Sequence, residues 1–135
     1  MVAGCLRRYN LLLATVQLMK VDDFVKQIAG RFDADPQVEH HFSGGVYAKQ
    51  MFIPKGYVAA THKHTYSHLS ILASGQVIVS TDDSVESYNA PACIEIKAGT
   101  HHKIEALQDC VWFCIHATDE TDEDAIDAVL ISKGI

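Results

Sequence analysis

Four histidines carry the clearest chemical signal in the sequence: His62, His64 and His68 lie close together, and His102 follows much later. If the first stretch is extended, positions 62 and 64 point to the same face, because side chains alternate along a strand. Neutral imidazole binds divalent transition metals well and is a poor ligand for Ca²⁺ or Mg²⁺. The pattern therefore predicts one divalent transition metal per chain (Fe, Zn, Ni, Cu or Mn) with these four ligands.

The elements around the histidines are predicted to be mainly β. Short β-rich runs alternate with turn residues, which is typical of a sandwich or barrel. The predicted strands are 38–42, 45–53, 58–64, 69–73, 76–81, 84–88, 92–97, 102–106 and 111–117.

Two short helices are predicted to flank the strands. Residues 21–29 have apolar positions at helical spacing, and Gly30 supplies an end signal. Near the C-terminus, Thr121 and Asp124 have the spacing of a capping box, and an apolar stripe follows them. The chain is therefore divided into three parts: an N-terminal extension with a helix (1–36), a β-barrel (37–117) and a C-terminal helix (118–135).

The overall composition limits the class of function. With 135 residues the chain is long enough for one domain, and its 48% hydrophobic and 21% charged residues are close to the globular average. The net charge of −6 would repel nucleic acid and anionic lipid. No apolar stretch approaches the ~20 residues needed to cross a bilayer. We expect neither a nucleic-acid partner nor a membrane anchor.

The four cysteines do not form a recognisable framework. Cys5, Cys93, Cys110 and Cys114 contain no CxxC pair, and a chain of this size builds a core without disulfide bonds. We predict reduced thiols in a cytoplasmic protein, with the last three cysteines as small buried apolar residues.

The first eighteen residues differ in character from the rest. Arg7 and Arg8 precede an apolar run that resembles a signal peptide but is too short and has no clear cleavage site. One hypothesis is that Met19 is the physiological start, because the sequence from Lys20 onward has the pattern of an ordinary domain opening.

The run from Gly56 to Gly75 resembles the first cupin motif, Gly-x5-His-x-His-x3/4-Glu-x6-Gly, with every spacing kept. One residue departs from the motif, since His68 stands where the family usually has Glu. The second cupin motif is matched more loosely, by Gly99 and His102, with Ala106 in place of its Asn. The resemblance covers about residues 42–117.

This resemblance implies an all-β fold, a double-stranded β-helix or jelly-roll barrel, with the metal held inside by His62, His64, His68 and His102. Four neutral ligands leave the charge of a divalent ion uncompensated, so a small anionic substrate is expected. Cupins commonly pair, which implies a homodimer with strand 38–42 as the contributor.

Three functions are compatible with this pattern. The first is a small metalloenzyme, dioxygenase-like, because an all-histidine set resembles the iron sites of diketone- and thiol-oxidising cupins. The second is a metal-dependent binding or sensing module without turnover. The third, a metal-free epimerase-like cupin, ranks last because no carboxylate stands in register with these histidines.

Other polar residues are weaker candidates. We interpret His40 and His41 as structural and His101 as facing away from His102. On the last strand, the apolar set Val111, Phe113 and Ile115 is expected to face the interior, which places His116 outside or at the rim. On strand 45–53 the choice stays open between two faces: Tyr47, Lys49 and Met51, or Ala48, Gln50 and Phe52.

Overall fold

The computed structural model describes residues 2–7, 37–61 and 66–134. Within these ranges the chain forms ten strands and one helix: β1 Val2–Arg7, β2 Gln37–Ser43, β3 Val46–Ile53, β4 Tyr57–Thr61, β5 His68–Ser74, β6 Gln76–Ser80, β7 Val85–Asn89, β8 Ala92–Ile96, β9 Lys103–Ala106, β10 Cys110–Ala117 and α1 Ile126–Gly134.

Nine of these strands were predicted from the sequence, and in eight of them each end differs from the prediction by at most one residue. The exception is the strand predicted at 58–64, because residues 62–64 lie outside the described part of the chain. The helix predicted at 21–29 also lies outside it. The all-β prediction is confirmed.

The strands form two five-stranded antiparallel sheets. The first has the order β1-β4-β9-β6-β7 and the second β2-β3-β10-β5-β8. The sequence did not predict β1, which pairs with β4 from Val2 opposite Thr61 to Arg7 opposite Tyr57. The first residues of the chain are thus an edge strand of the first sheet.

The core lies between the two sheets. Met51, Leu72 and Trp112 of the second sheet are fully buried in one apolar cluster with Val77 and Ile104 of the first sheet. Burying a large apolar side chain contributes about 1.5–3 kcal/mol. This sandwich of apolar side chains fixes the distance between the sheets and thereby positions the polar residues at one end of the barrel.

The orientation predicted for the last strand is wrong. In β10, Trp112, Cys114 and His116 are buried, whereas Phe113 and Ile115 lie on the partly exposed outer face. The outer residues of β10 pair with residues that are themselves apolar or partly apolar: Ile71, Gln50, Leu69 and Ala48. Because both faces of this central strand are apolar, hydrophobicity alone could not identify the inner one.

Strand β3 settles the choice that the sequence left open. Tyr47, Lys49 and Met51 are buried, and their neighbours Ala48, Gln50 and Phe52 are intermediate. The inner face therefore carries a phenol and an ammonium group as well as apolar side chains.

Gly75 makes the tight connection between β5 and β6. Its φ of +93° lies in the left-handed region that favours glycine. A Cβ atom at this position would lie 2.5 Å from the Asp109 carbonyl oxygen and 2.6 Å from the Cys110 sulfur. Glycine is therefore required here for two reasons, the backbone conformation of the turn and the close approach of Asp109.

Helix α1 closes one end of the barrel. Ile126 and Leu130 are fully buried and pack with Tyr47, with Phe42 at the edge of the cluster. The predicted capping box is not formed, because the Asp124 N–H donates to Asp122 Oδ1 at 2.9 Å. Asp122 thus takes the role that Thr121 was expected to play at the helix start.

Three cysteine side chains are described, and all three are free thiols. Cys110 and Cys114 are buried, as predicted, but Cys93 is exposed. Cys93 lies on the outer face of β8, the edge strand of the second sheet, so the prediction that it is buried is wrong.

Candidate functional site

Polar side chains cluster at one end of the inner face of the second sheet. Adjacent strands β3 and β10 place Tyr47 opposite His116, and next to them Lys49 opposite Cys114. The following strand, β5, sets Ser70 opposite Cys114. All five are at least nine-tenths buried. Farther along the same face, Met51, Leu72 and Trp112 belong to the apolar core.

His68 begins strand β5 and points into this polar end. This residue is buried, with an exposed fraction of 7%. The ring Nδ1–H donates to the Leu69 carbonyl at 3.3 Å, which leaves the lone pair on Nε2. Burial, with a smaller effect of His102, lowers the pKa of His68 to about 4. His68 is therefore a neutral imidazole at physiological pH.

His102 approaches from the other sheet. It directly precedes β9 of the first sheet and is 5% exposed. Its Nδ1–H donates to the Thr100 carbonyl at 3.1 Å, so its lone pair also lies on Nε2. Burial, with a smaller effect of the His101 charge, lowers the pKa of His102.

The other two predicted ligands, His62 and His64, lie outside the described residues. Among residues 2–7, 37–61 and 66–134, no three His, Cys, Asp or Glu side chains converge as a metal-binding group would. The structure thus describes two of the four predicted ligands, His68 and His102, each of them buried and each in the wall of a different cavity, and the four-histidine set stays a prediction. The two described ones fit a metal chemically, since a metal ligand must be deprotonated and an ordered Nδ1–H contact fixes Nε2 as the donor atom.

His116 is the site residue that the sequence interpretation missed. It is 1% exposed, and its ring centroid lies 4.4 Å from that of His68. On its other side it stacks on Tyr47 at 6.2 Å, and a 3.1 Å hydrogen bond joins its Nδ1 to the Tyr66 hydroxyl. Strand alternation did place His116 with Trp112 and Cys114, so the missing information was only which face of β10 is the inner one.

Tyr47 connects this cluster to His40 on strand β2. A 2.7 Å hydrogen bond joins its hydroxyl to His40 Nδ1, and the two rings stack at 5.8 Å. Burial, followed by the charges of Asp127 and Cys114, raises the pKa of Tyr47 well above its usual range. Tyr47 therefore remains a neutral phenol. The structural role predicted for His40 agrees with its contact to this buried ring.

Two cavities reach the two described histidines. One, of about 370 Å³, lies between β6 and β7 of the first sheet and β8 of the second, and His102 is in its wall. The other, of about 530 Å³, is a largely apolar groove at the rim, where β5 begins and β10 ends. Its lining consists of Tyr66, Ser67, His68, Leu69, Ile115 and Ala117.

Comparison with solved structures identifies the architecture. A cupin 2 domain-containing protein from Halorhodospira halophila matches with 17% identity over 75% of this chain and 80% of its own, at a TM-score of 0.55. A cupin 2 conserved barrel domain protein from Salinispora arenicola matches with 11% identity over 74% of this chain and 87% of its own, also at 0.55. An RmlC-like cupin from Methanocaldococcus jannaschii, described as a double-stranded β-helix, matches with 16% identity over 64% of this chain and 84% of its own, at 0.53. The chain has the cupin fold.

The likeness to these proteins is one of fold, since the identities are low. No protein-family model matches the sequence, and no curated protein matches it. Within the described ranges, no helix is long and apolar enough to cross a bilayer. The cupin fold predicted from the two glycine-histidine runs is confirmed, and the chemistry must be argued from this chain's own residues.

Proposed function

We propose that this cupin binds one divalent transition metal through His62, His64, His68 and His102 and acts as a small metalloenzyme, dioxygenase-like, on a small organic substrate. The observation that carries the proposal is the pair His68 and His102. They come from opposite sheets, are more than nine-tenths buried, and each commits Nδ1–H to a backbone carbonyl. Two neutral imidazoles oriented in this way are ready to donate through Nε2.

The donor type limits the metal to ions that accept imidazole: Fe, Zn, Ni, Cu or Mn. When bound, such an ion supplies Lewis-acid polarisation of a substrate oxygen, or oxygen activation if it is redox-active. Around it, the chain's own residues have distinct tasks. His116 packs against His68 and restrains its ring, the Tyr66 hydroxyl holds His116 in turn, and the apolar core behind them excludes water.

A second candidate is a ligand-binding or sensing module without turnover. The groove beside His68 supports it, because that groove is larger than the His102 cavity and is lined mainly by apolar groups such as Leu69 and Ile115. A surface of this kind holds an apolar ligand by burial and needs no catalytic group. Both candidates share the metal, so the metal is the first property to test.

Metal analysis of the purified full-length protein and of two variants tests the proposal. We expect about one metal ion per chain in the wild type and a strong loss in His68→Ala and His102→Ala. His41→Ala is the matched control, because His41 is exposed on β2 and bonds Gln50 instead of facing the interior. A wild type that binds no transition metal, or a control that loses it equally, would contradict the proposal.

Cobalt substitution then separates the two candidates. A weak five- or six-coordinate absorption spectrum means that coordination positions are open to substrate and favours the enzyme. An intense tetrahedral spectrum means that the ligand shell is closed and favours the binding module.

We also propose that the chain forms a homodimer, with β2 in the contact as the sequence suggested. Two features of the described residues support pairing. Strand β2 is an edge of the second sheet, and exposed edges favour association. On the outer face of the same sheet Leu69 is 51% exposed and Ile71 38%. A mass of one chain in light scattering at micromolar concentration would refute this.

A further inference from the structure

The 370 Å³ cavity at His102 has an apolar interior and a charged rim. Val79, Ile94 and His102 are its buried lining residues, all at most 6% exposed. The remaining lining residues are half-buried or exposed and all polar: Thr81, Asp83, Ser84, Glu86, Tyr88, Glu95, Lys97 and Thr100. At the lower end of the usual range for ligand sites, this volume suits a small molecule.

The charged residues on the rim are mainly acidic. Three acidic residues belong to the lining, Asp83 in the β6–β7 turn, Glu86 on β7 and Glu95 on β8, against one basic residue, Lys97. Of the three, Glu95 alternates with the buried Ile94, so its side chain lies on the outer face of β8 and the carboxylates nearest the cavity are those of Asp83 and Glu86. With His102 neutral, the lining carries a formal charge of −2. A cleft walled by one sign of charge raises the local concentration of oppositely charged ligands.

Part of the rim is held in place by hydrogen bonds. The Tyr88 hydroxyl donates to Glu86 Oε2 at 2.5 Å. In the adjacent turn, Thr81 Oγ1 accepts the backbone N–H groups of Asp83 and Ser84 at 3.2 and 3.1 Å. These bonds hold the Glu86 carboxylate and the backbone of the turn that carries Asp83.

We infer that this cavity binds a small molecule bearing a protonated amine, with the ammonium group at the carboxylate rim and the rest of the ligand extending between Val79 and Ile94 toward His102. The inference deepens the proposed function and rests on it where His102 serves as a metal ligand. It also qualifies the anionic substrate expected from the four histidines, because an anion must pass the carboxylates of Asp83 and Glu86 to enter by this route. A substrate that fits both the rim and the interior of the cavity has an amine at one end and an electron-rich group at the other.

Three probes of equal length test the inference on the full-length protein: n-butylamine, butyrate and n-butanol. Amide chemical shifts recorded by NMR during titration at low ionic strength give both the location and the affinity. We expect n-butylammonium to shift amides of residues 79–88 and 94–100 and to bind at least fivefold more tightly than butyrate. Binding should weaken at 0.15 M salt, where charges are screened beyond about 8 Å.

A double variant and a charge-matched control complete the test. Asp83→Asn with Glu86→Gln is expected to weaken n-butylammonium binding about fivefold, since each exposed carboxylate contributes about two- to fivefold. Glu39→Gln with Glu123→Gln changes the net charge equally at exposed positions outside the cavity and should leave the affinity unchanged. Equal weakening by both pairs, equal binding of butyrate, or shifts confined to other surfaces would overturn the inference.

Metal content distinguishes this failure from failure of the proposed function. If the protein holds its metal and n-butylammonium does not bind at the rim, only the amine inference is wrong. If n-butylammonium binds there and the protein holds no metal, only the metal proposal is wrong.

Discussion

Acidification of the metal-free protein should destabilise it through His68. The pKa of this side chain is about 4 in the folded chain, against an ordinary value of 6.5. Because the folded pKa is the lower one, the unfolded chain binds more protons between the two values. The contribution of His68 to stability is therefore complete above about pH 6.5 and is lost as the pH falls toward 4.

The magnitude follows from the same two values. The interval from 6.5 to about 4 corresponds to a maximum of about 3 kcal/mol, of which about 2 kcal/mol is lost between pH 7 and pH 4.5. His68 is 7% exposed, so solvent screening reduces this figure little. A loss of this size is a large part of the 5–15 kcal/mol that stabilises a typical domain.

Urea unfolding at pH 7 and pH 4.5, in the presence of a chelator, measures the loss. The single tryptophan, Trp112, is fully buried, so its fluorescence reports unfolding directly. The wild type should lose about 2 kcal/mol more between the two pH values than His68→Gln, because the glutamine does not titrate. His41→Gln removes an exposed imidazole from the same sheet and should keep the wild-type pH dependence.

Each variant is compared with itself at the two pH values, so a general destabilisation by the substitution cancels. If His68→Gln loses as much stability on acidification as the wild type, burial does not hold His68 neutral. His68 would then not be kept in the neutral form that a metal ligand requires.

Two further predictions concern the barrel itself. Gly75→Ala should cost about 3 kcal/mol or more in urea unfolding, because it combines a left-handed φ with a clash against the Asp109 carbonyl. Gly44→Ala, also at positive φ but in open space, should cost only about 1 kcal/mol, and equal losses would mean that the clash is relieved. Leu130→Ala should cost about 3 kcal/mol, since it leaves a cavity beneath helix α1, whereas Val85→Ala, at a position 72% exposed, should cost less than about 0.5 kcal/mol. A small loss for Leu130→Ala would show that the helix contributes little to closing the barrel.

Local sequence patterns determined most of the secondary structure. Nine strands were predictable because their alternating side chains and the turn residues between them are close in the chain. The need for glycine at Gly75 was also readable, since a tight hairpin demands a positive φ whatever surrounds it. Strand β1 was not, because a short edge strand is defined by its pairing with β4, about fifty residues away.

The residues of the candidate site also differ in whether the sequence alone could identify them. His68 and His102 could be chosen from their spacing to glycines, which is a property of the sequence alone. His116 could not, although alternation placed it correctly beside Trp112 and Cys114. Both faces of β10 are apolar enough to be buried, and which one turned inward depended on how β3 and β5 pack on either side of it. The sequence by itself thus determined which residues alternate and where the chain turns, whereas only the tertiary structure decided which face meets the opposite sheet, because that choice is made by contacts between residues distant in the chain.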